Sequence, residues 1–315
     1  MTRRILVPVD GSPFAEQAIP VAARMASRTD ATVELVLVHD VSVSVATLNV
    51  SAIAMPNFPQ VPRAETEPVI AMRADYLIQL TDRVRREFAV GVRSTLLEGS
   101  VADALADYAN TNADLVAMTT HARGGISRFW LGSVTDALVR HLTKPVLLIK
   151  PSESEAAPAH SDAGAFRRVL VPLDGSALAE SILDPLLQIV IDRDQDVVCR
   201  LLTVRAPALP LVVPSIPLAG VPVTDQSPDR DAGAERYLQD IAQRLETRLR
   251  VETRFEVGFP AQTILDQAAD MDADLIAMAT HGRGGLRRLL IGGVADKVLR
   301  GASTSVLLFR PPDVS

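Results

Sequence analysis

The strongest constraint on what this chain can fold into is that much of it is written twice. Arg4-Ile-Leu-Val-Pro-Val-Asp-Gly-Ser12 recurs as Arg168-Val-Leu-Val-Pro-Leu-Asp-Gly-Ser176. Further along each half, residues 114–150 align without gaps on residues 274–310, with about 17 of 37 positions identical. Self-similarity of that extent means one fold used twice in tandem. The length agrees, since 315 residues make roughly two ordinary domains. The expected division is a first domain at 1–150, a linker at 151–166 and a second domain at 167–315. The linker is rich in Pro, Ser, Glu, Ala, His and Asp and has no hydrophobic period.

Within the first repeat, residues 4–9, 33–38, 114–119 and 145–149 are apolar runs without polar alternation, the pattern of strands covered on both faces. Helical spacing intervenes: Ala15, Ala18, Ile19, Ala22, Ala23 and Met25, then Leu77, Leu80, Val84 and Phe88. Ser12 followed by Pro13 suits a helix N-cap with proline at the first helical position. Matching strands in the second repeat fall near 168–173, 197–204, 251–257, 274–279 and 305–309. The expected class is α/β: two tandem Rossmann-like domains, each an open five-stranded parallel sheet with helices on both faces. Ligands of such sheets sit at the carboxyl ends of the strands, where strand order reverses. Asp10 and Asp174, and the loops holding His121 and His281, follow such strand ends.

Composition removes several classes of function. With 48% apolar and 22% charged residues the chain is globular rather than disordered. A formal charge of -6 argues against nucleic acid as the chief partner. The uncharged stretches 41–62 and 207–223 are broken by Pro56, Pro59 and Pro62, and by Pro207, Pro210, Pro214, Pro217 and Pro222. They read as apolar loops, not membrane spans. Two roles stay open for them, covering a pocket or a chain-to-chain contact on one side and ordinary loop packing on the other. The single cysteine, Cys199, excludes an intramolecular disulfide framework, and the start runs straight into an ordered pattern, so a cytoplasmic setting is expected.

The chemistry concentrates in two loops. From Thr119 to Ser133, and from Ala279 to Gly293, the chain passes from a strand end through a glycine-bearing segment to the start of a helix at Gly132 or Gly292. Arg123 and Arg128 lie in one loop, Arg283, Arg287 and Arg288 in the other, and neither carries an acid. Small residues and free helix-start N–H groups favour an anion such as phosphate, although basic glycine-rich loops also serve as plain solvated turns. No Gly-Lys dipeptide exists for a P-loop, and the turn after strand one lacks the dinucleotide fingerprint. His121 and His281 have no recurring Ser or Cys nucleophile beside them, so they read as structural or ligand-positioning residues. Asp10 and Asp174 fit either a metal-associated role or an aspartate turn before Gly-Ser.

These residues resemble the universal stress proteins in their tandem two-domain form. The family's nucleotide signature, Gly, two residues, Gly, nine residues, Gly, then Ser or Thr, keeps its spacing here. Its four positions read Thr119, Ala122, Gly132 and Ser133 in one copy, and Ala279, Gly282, Gly292 and Gly293 in the other. The resemblance implies ATP, with Mg²⁺ left open, at the strand-end cleft of one or both repeats. The adenine side would be Val9, Asp10 and Asp40 in repeat one, and Leu173, Asp174 and Val204 in repeat two, with Pro8 and Pro172 adjoining. The loops would hold ribose and phosphates through His121, Ala122 and Arg123, or His281, Gly282 and Arg283. Met118 and Met278 would flank them on one side, and Val134 and Val294 on the other. Ala122 places a Cβ where the backbone approaches the ligand, which favours repeat two. The resemblance further implies a homo-oligomer, a dimer, and an intrachain pseudo-dimer through the last strands. Regulatory ATP binding without strong turnover is the leading expectation; a non-nucleotide scaffold and a slow ATP hydrolase are the alternatives.

Overall fold

The computed structural model describes residues 3–40, 67–120, 132–150, 166–190, 197–207, 228–280 and 292–311. The proline-rich stretches, except for Pro207, and the residues between 151 and 165 thus fall outside the described residues, as do His121, Ala122, Arg123, His281, Gly282 and Arg283. Two compact units are present, one carrying the first repeat's strands and the final strand, the other the remaining strands of the second repeat.

The first unit runs β1 (Arg4–Val9), α1 (Pro13–Glu16), α2 (Ala18–Thr29), β2 (Thr32–His39), α3 (Glu67–Phe88), β3 (Gly91–Glu98), α4 (Val101–Asn112), β4 (Leu115–Thr119), α5 (Ser133–His141) and β5 (Val146–Ile149). Its strands lie in the order β3-β2-β1-β4-β5 and all five are parallel. Chain order reverses between β1 and β4, so the crossovers on the two sides diverge and leave a crevice at their carboxyl ends. Every residue of β4 and β5 is buried, which explains their unbroken apolar sequence. The outer edge of β5 is occupied by β10 (Ser305–Phe309), the last strand of the second repeat, running antiparallel with Leu307 opposite Leu147. The Arg310 guanidinium then donates to the Arg140 carbonyl.

The second unit contains β6 (Arg168–Pro172), α6 (Ala177–Glu180), α7 (Leu183–Val190), β7 (Val198–Arg205), α8 (Pro228–Leu245), β8 (Arg250–Val257), α9 (Pro260–Asp270), β9 (Leu275–Ala279) and α10 (Gly293–Gly301). Its strand order is β9-β6-β7-β8, again parallel, with the reversal between β6 and β9. In both repeats the helix expected after the first strand is split in two. Pro20 and Pro185 have no N–H to give to the carbonyls of Glu16 and Ser181, and the breaks fall at those points.

One clamp recurs and sets the height of the strand ends. Asp114 accepts from the Arg4 amide at 2.9 Å, and Asp274 accepts from the amides of Arg167 and Arg168 at 2.8 and 3.1 Å. Each ties the start of the repeat's first strand to the start of its fourth, across the switch point. Burial pushes the Asp274 carboxyl above its usual range, against those amides, which lower it.

Cys199 is fully buried in β7, and desolvation pushes its thiol up to about 12. The folded protein should therefore resist Ellman's reagent at pH 8, with one thiol appearing only on unfolding. Prompt labelling of the native chain would contradict that packing. Among the described residues no helix is long and apolar enough to cross a membrane.

Candidate functional site

The turn after the first strand is built on the same plan in both repeats. Asp10 Oδ1 accepts from the Ser12 amide at 2.9 Å, and Ser12 Oγ accepts from the Ala15 amide at 3.2 Å. In the second copy Asp174 Oδ1 accepts from both the amide and the hydroxyl of Ser176, at 3.0 and 2.6 Å, and Ser176 Oγ accepts from the Ala179 amide at 3.1 Å. Between them Gly11 and Gly175 adopt φ of 85° and 77°, conformations that favour glycine. Both aspartates thus act as turn-formers. They also stand at the carboxyl end of the strand next to the switch point.

Sequence reasoning missed a constellation beside this turn. Glu16 accepts from the Tyr76 hydroxyl at 2.8 Å and pairs with Arg83. Six residues after Asp174, Glu180 pairs with Arg244 at 3.3 Å, and Tyr237 lies near both Glu180 and Asp174. Burial, then the adjacent glutamates, raise the pKa of both tyrosines. The signal was available: Tyr76 and Arg83, like Tyr237 and Arg244, are seven residues apart, two turns along one helix face. The triad moors the long helix, α3 or α8, to the short helix after the Asp-Gly-Ser turn.

In the second unit a cavity of about 600 Å³ opens at the strand ends. Nine residues singled out from the sequence line it: Pro172 at the end of β6 with Leu173 and Asp174 following, Val204 on β7, Met278 and Ala279 on β9, and Gly292, Gly293 and Val294 at the start of α10. Sequence reasoning did not anticipate the wall from α9, Pro260 and Ile264, nor Leu202, Thr280 and Lys297. These sit on elements whose mutual placement only the fold decides. The lining is apolar toward Leu173, Leu202, Val204, Ile264 and Met278, and its ionisable members are Asp174 and Lys297. Across the base of the second loop, the Gly292 amide donates to the Thr280 carbonyl at 2.6 Å. No side chain caps α10, whose N-cap is Gly292. First-turn N–H groups in that situation are ready partners for an anion. A Cβ at Gly293 would meet nothing within 4 Å, so the family's Ser or Thr would fit there as well.

The first unit brings the equivalent positions to one sheet end. Pro8 and Val9 end β1 and Asp10 follows; Asp40 follows β2; Met118 and Thr119 end β4; Gly132 caps α5, which begins with Ser133 and Val134. One side chain changes the floor. Where the second unit has Ala279 lining its cavity, Thr119 is buried and donates its hydroxyl to the Phe14 carbonyl at 3.1 Å. That bond joins β4 to α1 across the crevice. No group of three or more His, Cys, Asp or Glu suited to a metal occurs among the described residues.

Two strand-end crevices, each joining an Asp-Gly-Ser turn to a glycine-started helix, find their counterpart in one family. A profile of the Universal stress protein family matches residues 1–150 and again 165–310. The chain belongs to the universal stress protein family. A universal stress protein of Mycolicibacterium smegmatis is 26% identical over 307 residues, covering 98% of this chain and 97% of its own. One from Synechocystis sp. is 26% identical over 325 residues, covering 98% of this chain and all of its own length. These universal stress proteins therefore match the chain along both repeats. The crystal structure of a universal stress protein from Archaeoglobus fulgidus shares the fold, with a TM-score of 0.66 over 99% of this chain and 97% of that one at 15% identity.

Proposed function

We propose that this universal stress protein is a regulatory protein of the stress response that binds ATP in the strand-end cavity of its second repeat, without strong catalytic turnover. The observation that carries the reading is the cavity itself. Its volume is within the ordinary range for small-ligand sites, and its two ends differ in chemistry. The apolar end, Leu173, Leu202, Val204, Ile264 and Met278, suits a purine base. At the other end, Ala279, Gly292 and Gly293 let backbone N–H groups approach phosphate oxygens, and the uncapped start of α10 adds its dipole, worth about 0.3–1 kcal/mol at an exposed site. The basic loop residues, including Arg283, would supply the remaining charge, and Mg²⁺ would arrive with the nucleotide.

A cytoplasmic, homodimeric protein is part of the same proposal, as is the division into domains at 1–150 and 167–315. Thr119 favours a different use for the first repeat. A hydroxyl committed to Phe14 at the floor of the crevice supports a copy kept for assembly and partner contacts. Calorimetric titration of the full chain with ATP, with and without Mg²⁺, tests the assignment. Close to one equivalent is expected, along with adenine nucleotide in the mass spectrum of small molecules released on denaturation. No heat and no released nucleotide would leave the scaffold reading standing instead.

A further inference from the structure

Phe259 breaks two local rules at once. It occupies the N-cap of α9, where Ser, Thr, Asp or Asn would give the orphan N–H groups an acceptor, and no side chain caps that helix. Its ring is 65% exposed, the large apolar group that a surface normally avoids. The equivalent position in the first repeat is Ser100, the N-cap of α4, a residue type suited to that place although its side chain makes no capping hydrogen bond there. Position-specific violations of this kind concentrate at functional sites.

The location supplies the function. Pro260, covalently next to Phe259, and Ile264, one turn further, line the cavity. Val294 lines it from α10 and is itself 38% exposed. The two helices are closely packed, since a Cβ on Gly301 of α10 would stand 2.5 Å from Leu265 Cδ1 of α9. Phe259 is not itself part of the lining; it is the residue just before Pro260, at the N-cap of the helix that supplies part of the apolar wall. We infer that Phe259 is a base-stacking residue: its ring folds over the planar base of a nucleotide seated in the second-repeat cavity. Phe259 is then a base-binding residue that the first repeat lacks. Stacking on an aromatic face tolerates any base, so this contact adds affinity for the planar ring and leaves phosphate recognition to the other end.

The inference rests on the nucleotide reading of this cavity, and the experiment separates the two. Full-length wild type, Phe259→Ser and Phe259→Trp are titrated calorimetrically with ATP and with adenosine, and melted by circular dichroism. Phe259→Ser is expected to weaken ATP and adenosine by the same factor, about 5- to 100-fold, with an unchanged salt dependence. Its Tm should stay close to the wild type's, because Phe259 is 65% exposed and makes no capping bond that its replacement would remove. Phe259→Trp should bind within about threefold of wild type, since the larger ring preserves the stack. Equal affinities for wild type and Phe259→Ser would overturn stacking while leaving the site intact. A wild type that binds neither ligand overturns the nucleotide reading, and the stacking role with it.

Discussion

Replacing Ala279 by glutamate is expected to abolish measurable ATP binding by the second repeat, weakening it by about 100-fold or more. Ala279 ends β9, is buried, and lines the cavity at the point where the chain leaves for the glycine-bearing loop. A carboxylate there would reach into the space proposed for the phosphates, and like charges juxtaposed at an interface cost several kcal/mol, with each 1.4 kcal/mol worth about tenfold. The fold should survive, because the new side chain can extend into the cavity rather than into packed core. Ala279→Thr, which copies the first repeat, is the milder comparison and should lower affinity by a smaller factor. Calorimetric titration beside a thermal melt reads both. An unchanged ATP isotherm in a folded Ala279→Glu protein would remove this cavity as the binding site.

The second large effect concerns the final strand. Leu307→Ala should cost about 2–5 kcal/mol of stability, the usual range for truncating a fully buried leucine. Leu307 and Leu147 are both fully buried and stand opposite each other in the antiparallel register of β10 on β5. Cross-strand partners of this kind are coupled, so Leu147→Ala combined with Leu307→Ala should deviate from additivity by about 0.5–3 kcal/mol. Urea unfolding of the four proteins measures the cycle. Strict additivity would mean that the two strands do not share a core, and would undercut the implied pseudo-dimer through the last strands.

Much of the architecture was legible because parallel strands buried on both faces write themselves as unbroken apolar runs. Leu35, Val36, Leu37 and Val38 of β2, all buried, are such a run. β3 was harder to read: Gly91–Glu98 alternates exposed, buried and half-buried residues, because it is the outermost strand of its unit. The break within the first helix was readable in principle from Pro20 and Pro185. The Tyr76–Glu16–Arg83 triad and its counterpart around Glu180 escaped notice because the partners are some 60 residues apart in sequence, and periodicity within one helix says nothing of what the helix meets.

What the sequence by itself determined is the duplication, the α/β class, the presence of a turn at Asp10-Gly11-Ser12 and Asp174-Gly175-Ser176, and the positions bordering each strand end. These depend on local backbone preference and on burial patterns, both of which are carried by neighbouring residues. Tertiary structure alone decided that Pro260 and Ile264 close the wall of the second cavity, that Thr119 turns its hydroxyl to Phe14 where Ala279 lines the cavity, and that β10 runs antiparallel to β5 with Leu307 opposite Leu147. Each is a meeting of segments distant along the chain. Such meetings are set by helix packing and strand order, which no local pattern encodes.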